Sequence, residues 1–251
     1  MYIDTHCHLS QEDYEDIDLV IKENRKACVD KIVISGCTKE SIIESLEIAE
    51  KYDDVYVTIG YHPSEAKLIY KNDIIELEKN LSNSKVIGIG EIGLDYHYGK
   101  DDIELQKQLF REQLKLAEKY SLPVVIHSRD ATQDTINILK EYQNVKGDIH
   151  CFSGSVEVAK EYISMGYYLG IGGVVTFKNS NLYKVIEKIG IDNIVFETDS
   201  PYLTPEPFRG KINSSKYLPY ISKRVSEILN LDEKEVTDIV LKNTYKLFDL
   251  K

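Results

Sequence analysis

No run in this chain approaches the roughly 20 apolar residues needed to cross a bilayer. The first residues, Met1-Tyr2-Ile3-Asp4-Thr5-His6, hold neither a basic region nor an apolar stretch of signal-peptide length, so a cytoplasmic protein is expected. Cysteine is scarce. The four present, Cys7, Cys28, Cys37 and Cys151, form no Cys-x-x-Cys pair, which argues against a zinc ribbon or a disulfide framework. Reduced thiols in a cytosolic protein are the plain reading. Basic runs are missing as well, and the formal net charge is −11. Proteins that grip duplex DNA over a broad surface usually carry a basic patch. Any nucleic-acid substrate must then be held locally, and a small substrate fits the charge equally well. No low-complexity segment and no Pro/Gly/Ser-rich linker divides the chain, so a single domain over 1–251 is expected.

What is present is alternation. Short β-branched runs are followed by stretches of helical period. The runs are Tyr2–Ile3, Lys31–Ser35, Val55–Ile59, Lys85–Ile89, Leu122–Ile126, Lys146–Ile149, Tyr167–Ile171 and Asn193–Phe196. Between them lie helical stretches such as Glu40–Lys51, Ile103–Tyr120 and Val156–Ser164, and two more close the chain near Lys216–Leu229 and Asp232–Phe248. On Ile103–Tyr120 the expected buried face is Ile103, Leu105, Leu109, Phe110, Leu114, Leu116 and Ala117. Alternating strands and helices imply a parallel sheet with helices outside. Eight such units in 251 residues point to a (β/α)8 TIM barrel. The alternative is a doubly wound sheet, which normally carries a glycine-rich loop after its first strand. Here the first strand runs into Asp4-Thr5-His6-Cys7-His8 instead. Gly88-Ile89-Gly90-Glu91-Ile92-Gly93 matches Gly-x-Gly-x-x-Gly, but it falls late and leads into Leu94-Asp95-Tyr96-His97 rather than a helix.

All six histidines, His6, His8, His62, His97, His127 and His150, stand at or just beyond the carboxyl end of an expected strand. In a TIM barrel that face carries the active site, and chance placement of all six is on the order of one in ten thousand. His6 and His8 lie two residues apart on a strand, so both point to one face and can chelate one ion. Asp4 shares that face and is a candidate to orient a histidine ring. Cys7 points the other way, as a small buried hydrophobe. Glu91 follows an apolar run, where a carboxylate is costly unless paired or bound to metal. It is a ligand able to bridge two cations, or else the partner of Arg129 or a lysine. His127 and His150 end their strands and suit a second ion. Asp199 ends the eighth and can bind metal and accept a proton. Glu197, on the same face, orients a ligand or forms a core ion pair. One tetrahedral zinc needs three protein ligands plus water, so six ligands imply a binuclear site. Such a site activates water and clamps the attacking and leaving oxygens of phosphoryl transfer. The mixed donors accept magnesium, manganese, nickel or zinc.

With these motifs in order, the sequence resembles the TatD family of metal-dependent deoxyribonucleases, among the amidohydrolase-like TIM barrels. The resemblance spans nearly the whole chain: Ile3-Asp4-Thr5-His6-Cys7-His8-Leu9, Gly60-Tyr61-His62-Pro63, Gly90-Glu91-Ile92-Gly93-Leu94-Asp95-Tyr96, Val125-Ile126-His127-Ser128-Arg129, His150-Cys151-Phe152-Ser153-Gly154 and Glu197-Thr198-Asp199-Ser200-Pro201-Tyr202-Leu203. It implies metal ligands at His6, His8, Glu91, His127, His150 and Asp199, with Glu91 bridging and Asp199 also the general base. It implies that His62 and Arg129 contact substrate phosphate. Pro63 equally marks a helix start after His62, and Arg129 equally suits an ion pair with Asp130 or Glu91. The chain departs from the family where Ser10 and His97 stand, and after Phe208-Arg209-Gly210, where Asn213 is followed by Ser214-Ser215 rather than Glu-Pro.

The resemblance implies a 3′-5′ exonuclease on single-stranded DNA or DNA 3′ ends, using two divalent ions (magnesium, manganese or zinc), and a monomer with no obligate protein partner is expected. Tyr96, Tyr98, Phe152 and Tyr202 are candidates to stack a base. Hydrolysis of an ester, an amide or an aminoacyl-tRNA linkage is the second reading. A non-enzymatic metal-binding scaffold is the third.

Overall fold

The computed structural model describes residues 1–97, 99 and 101–250. In chain order the elements are β1 (Tyr2–Cys7), α1 (Ile17–Lys26), β2 (Val29–Gly36), α2 (Lys39–Lys51), β3 (Val55–Ile59), α3 (Lys71–Asn80), β4 (Val86–Asp95) and α4 (Ile103–Tyr120). They continue as β5 (Val124–Arg129), α5 (Thr132–Leu139), β6 (Gly147–Ile149), α6 (Val156–Ser164), β7 (Tyr168–Ile171), α7 (Leu182–Ile189), β8 (Ile194–Phe196), α8 (Leu218–Leu229) and α9 (Glu233–Phe248). The strands are hydrogen-bonded in the order β1 to β8. One helix follows each strand, with α9 added at the end, so the topology is the expected (β/α)8. Among the described residues no helix is long and apolar enough to cross a membrane.

Contacts divide the chain into two compact units, Met1–Ile34 with His150–Lys251, and Ser35–Ile149. In the first, β1 pairs parallel to β2 with Tyr2 opposite Val29, and β7 pairs parallel to β8 with Leu169 opposite Ile194. Its helices begin where short polar side chains satisfy unpaired N–H groups. Asp16 caps α1, Ser155 caps α6, and Asp232 caps α9. Ile3, Val33, Leu169, Ile171, Val195 and Ile221 are buried in this unit.

In the second unit β3, β4, β5 and β6 pair in parallel. Val57, Ile59, Ile89, Ile92 and Val124–Ile126 are fully buried there. Burying such a side chain is worth about 1.5–3 kcal/mol. Thr38 and Ser41 close a reciprocal capping box at the start of α2. The buried face of α4 departs from the apolar reading. Leu105 is 46% exposed, while Gln106 and Gln113 are buried. Gln113 accepts the Tyr61 N–H at 2.7 Å and donates to the Tyr61 carbonyl at 3.1 Å. Gln106 does the same at Asp95, both at 2.9 Å. Seven residues is close to two helical turns. The two amides therefore sit on one face of α4 and hold the main chain at the ends of β3 and β4. Apolar periodicity cannot report them, because their place in the core comes from hydrogen bonds to buried backbone groups.

Candidate metal centre

In the first unit the ends of β1 and β8 bring three of the expected ligands together, His6, His8 and Asp199, and His150, just past β6, joins them. The His6 carbonyl accepts the N–H groups of Thr198 at 3.4 Å and Asp199 at 3.0 Å, and the His8 N–H donates to the Ser200 carbonyl at 2.7 Å. Those bonds align the residues after β8 with the end of β1. Asp199 Oδ1 then lies 3.6 Å from His6 Nε2 and 3.6 Å from His8 Nε2. That spacing is long for a hydrogen bond. It is close to the separation of about 3.4 Å expected for two donors each about 2.1 Å from one ion at a tetrahedral angle. The His6 and His8 rings are 5.0 Å apart and nearly perpendicular. His6 stacks on His150 at 3.8 Å. Donor atoms of His6, His150 and Asp199 all lie within 4.8 Å of one another. The pair expected from alternation on β1 is present, although β1 runs four residues past Ile3.

Two buried carboxylates support these ligands. Glu197 is fully buried. Its Oε1 accepts the Cys151 N–H at 2.6 Å and faces His150 Nδ1 at 3.3 Å. Glu197 was open to two readings, orienting a ligand or forming a core ion pair, and a carboxylate placed beside one ring nitrogen is suited to aiming the other. Burial pushes its carboxyl up, and His150 opposes that. Gly170 makes room for it, because a Cβ there would stand 2.2 Å from Glu197 Oε2. Asp4 differs from expectation. Its oxygens accept the Thr198 N–H at 2.9 Å, the Thr198 hydroxyl at 2.6 Å and the His6 main-chain N–H at 3.3 Å. Asp4 thus holds the residue before Asp199 rather than an imidazole. Burial raises its carboxyl to about 7 against those hydrogen bonds. Cys7 is buried, its thiol directed at the Val33 carbonyl at 3.5 Å.

In the second unit the β4–β5 register sets Gly93 opposite His127 and Asp95 opposite Arg129. Glu91 and Asp95 therefore flank the histidine. His127 Nδ1 lies 2.7 Å from Glu91 Oε1, and Nε2 lies 3.0 Å from Asp95 Oδ2. A neutral imidazole has one N–H. Both contacts are hydrogen bonds only in the imidazolium. With a cation on the Glu91 side, Asp95 becomes the carboxylate that fixes the tautomer of a metal-binding histidine. Burial raises the Asp95 carboxyl, but His127 and the His97 N–H outweigh it and hold the group below its ordinary value. Gly93 has φ +142°, and a Cβ there would lie 2.0 Å from the His127 carbonyl. No bulkier residue allows β4 to approach β5 so closely.

Asp95 was not among the expected site residues. Its signal was available: Glu91, Gly93 and Asp95 alternate on one face of a strand that runs six residues beyond Ile89. His62 starts a helical turn, as the following Pro63 suggests. Its Nδ1 accepts the Ser64 N–H at 3.1 Å and starts the 3-10 turn Pro63–Glu65. That leaves Nε2 as the N–H donor of the neutral ring. Nε2 lies 3.9 Å from Glu91 Oε1, and the ring meets His127 edge-on at 4.5 Å. His62, Asp95 and His127 form a second group with donors within 4.8 Å. Arg129 ends β5 with its side chain exposed. His97 faces Asp130 at 3.1 Å on the surface.

The stacking candidates separate cleanly. Phe152 is buried against Tyr162. The Tyr96 hydroxyl is 2.8 Å from Asp134. Tyr98 lies outside the described residues. Tyr202 is 59% exposed, with its ring 6.2 Å from that of His8.

Residues 3–249 match the family model described as TatD related DNase. An uncharacterized metal-dependent hydrolase of Bacillus subtilis, YabD, is 41% identical over 99% of both chains. The crystal structure of YjjV, a TatD homolog from Escherichia coli, superposes with a TM-score of 0.92 at 31% identity, covering 100% of this chain and 98% of that one. A TatD-family hydrolase from Entamoeba histolytica gives 0.88 at 27% identity, covering 98% and 97%.

Proposed function

This chain belongs to the TatD family and has its TIM-barrel fold, and from that premise we propose that it is a metal-dependent phosphodiesterase that shortens single-stranded DNA from the 3′ end. The observation that carries the reading is the Asp199 carboxylate, 3.6 Å from the imidazoles of both His6 and His8. Each nitrogen–oxygen spacing suits two donors sharing a divalent cation better than a hydrogen bond, and donors of His6, His150 and Asp199 also lie within 4.8 Å of one another. The family-model description, TatD related DNase, supports DNA as the substrate. The names of relatives such as YabD support metal-dependent hydrolysis.

The proposed ligands are His6, His8, Glu91, His127, His150 and Asp199, for two divalent ions drawn from magnesium, manganese and zinc. When bound, such ions supply positive charge to a scissile phosphate and lower the pKa of water. The chain's own groups do the rest. Asp199, with 15% of its side chain exposed, is the proposed acceptor of the proton from the attacking water. Glu197 and Asp95 hold His150 and His127 in one ring orientation. His62 offers its Nε2 N–H, and Arg129 a guanidinium, to non-bridging phosphate oxygens, which suit paired charge-assisted hydrogen bonds.

End-labelled single-stranded DNA incubated with the chelator-stripped protein, then with each metal restored, tests this directly. Ladder-like shortening that needs metal and disappears in Asp199→Asn is the expected result. DNA left intact with magnesium, manganese and zinc alike would refute the nuclease reading.

A further inference from the structure

The segment from Tyr202 to Tyr217 stands apart from the rest of an acidic chain. It carries three cations and one anion, whereas the whole chain has a net charge of −11. Its cations are ordered by aromatic rings. The Arg209 guanidinium lies 4.0 Å from the centre of the Phe177 ring and donates to the Thr204 carbonyl at 3.0 Å. The Lys211 ammonium lies 5.4 Å from the ring of Phe208, which itself stacks on Tyr217 at 4.5 Å. Lys216 is bound at 2.6 Å to Glu23, and Glu206 is the one acidic residue in the segment, so the outward positive charge is that of Arg209 and Lys211.

This segment is also tied to the metal centre. The buried Asn213 side chain donates to the Thr198 carbonyl at 2.8 Å and to the Tyr202 carbonyl at 2.6 Å. Those two residues flank Asp199. The Tyr202 N–H donates in turn to the Asp199 carbonyl at 2.9 Å. The exposed Tyr202 ring is thereby set beside His8, 6.2 Å away.

We propose that residues 202–217 form a platform for single-stranded nucleic acid, holding the strand beyond the two nucleotides that flank the reacting phosphate. Tyr202 stacks a base, and Lys211 and Arg209 contact the backbone. The proposal rests on the phosphodiesterase reading and adds how the strand is held. An exposed ring on the same segment as aromatic-ordered cations is the composition that grips single strands without sequence preference. A duplex needs a broad basic surface, and the net charge of −11 disfavours one. Because Asn213 joins the platform to both sides of Asp199, the strand is positioned relative to the carboxylate that acts on it.

Steady-state cleavage of a dinucleotide and of a 12-residue oligothymidylate by the manganese-loaded enzyme tests the platform. Only the longer substrate reaches it. Wild type should prefer the 12-mer in kcat/KM, and Tyr202→Ala should reduce that preference about tenfold, mostly through KM. Tyr202→Phe, which keeps the ring, should restore it. Lys211→Ala should flatten the dependence of log Kd on log salt by about 0.7. If wild type cleaves the 12-mer and Tyr202→Ala keeps the full preference, the platform is wrong and the nuclease reading stands. If wild type cleaves neither oligonucleotide yet hydrolyses bis(p-nitrophenyl) phosphate, the nucleic-acid reading fails and the platform fails with it.

Discussion

Asp95→Asn isolates one orienting contact in the metal centre. In the wild type, Asp95 Oδ2 faces His127 Nε2 at 3.0 Å and Oδ1 accepts the His97 N–H at 2.8 Å. A carboxylate only accepts, so with a cation on the Glu91 side Asp95 keeps the proton on Nε2 and leaves Nδ1 as the lone pair that would face the ion. An amide is nearly the same shape but also donates. If its NH2 group faces Nε2, the proton moves to Nδ1 and the donor pair is lost. Loss of a carboxylate that orients a metal-binding histidine typically costs 10- to 100-fold in metal affinity, or about 1.4–2.7 kcal/mol. One charge-assisted hydrogen bond is worth about 1.5–3 kcal/mol, so the two estimates agree. Fold stability should fall by less, because the amide still fills the site and still accepts from His97. Manganese or zinc binding to the chelator-stripped protein, measured by calorimetric titration, checks the first figure, and thermal denaturation of the same sample checks the second. A metal Kd within twofold of wild type would refute the assignment of Asp95 to His127 orientation. So would a loss of affinity no larger than the loss of fold stability explains.

Three further outcomes follow from the same structure. Gln113→Leu should lower stability by about 2–4 kcal/mol, since it orphans the buried N–H and carbonyl of Tyr61; urea denaturation with a change below 1 kcal/mol would refute the clamp. Gly93→Ala should cost at least about 3 kcal/mol, from a φ of +142° and a Cβ 2.0 Å from the His127 carbonyl, and a melting temperature within 2 °C of wild type would show that the strands can part. Arg111→Ala removes a bidentate pair to Glu141, at 2.8 and 2.6 Å on the surface, and should cost at most about 1 kcal/mol at neutral pH. Arg111 lowers the Glu141 carboxyl below its ordinary value, so that small contribution is present above the unfolded pKa and lost as pH falls through the folded one; an equal difference between wild type and variant well below that range would contradict the linkage.

Much of this protein was legible in the chain itself. Eight strand-helix repeats follow from hydrophobic period alone, because a β-branched run and an amphipathic stretch each have one cheap conformation. His6, His8, His127 and His150 could be placed at strand ends for the same reason, and the rings of His6, in β1, and His8, just past it, lie 5.0 Å apart. The bonds that orient those rings were not legible. Asp95 meets His127 through the β4–β5 register, and Glu197 meets His150 past the ends of two other strands, both contacts between distant segments. Gln106 and Gln113 look like surface residues until buried main-chain groups at Tyr61 and Asp95 are found to need them. Asp4 was expected on a histidine ring and instead holds Thr198, 194 residues away. Period is a local property and survives in one dimension. Hydrogen-bond partnership is set by which segments meet, and only the folded chain decides that.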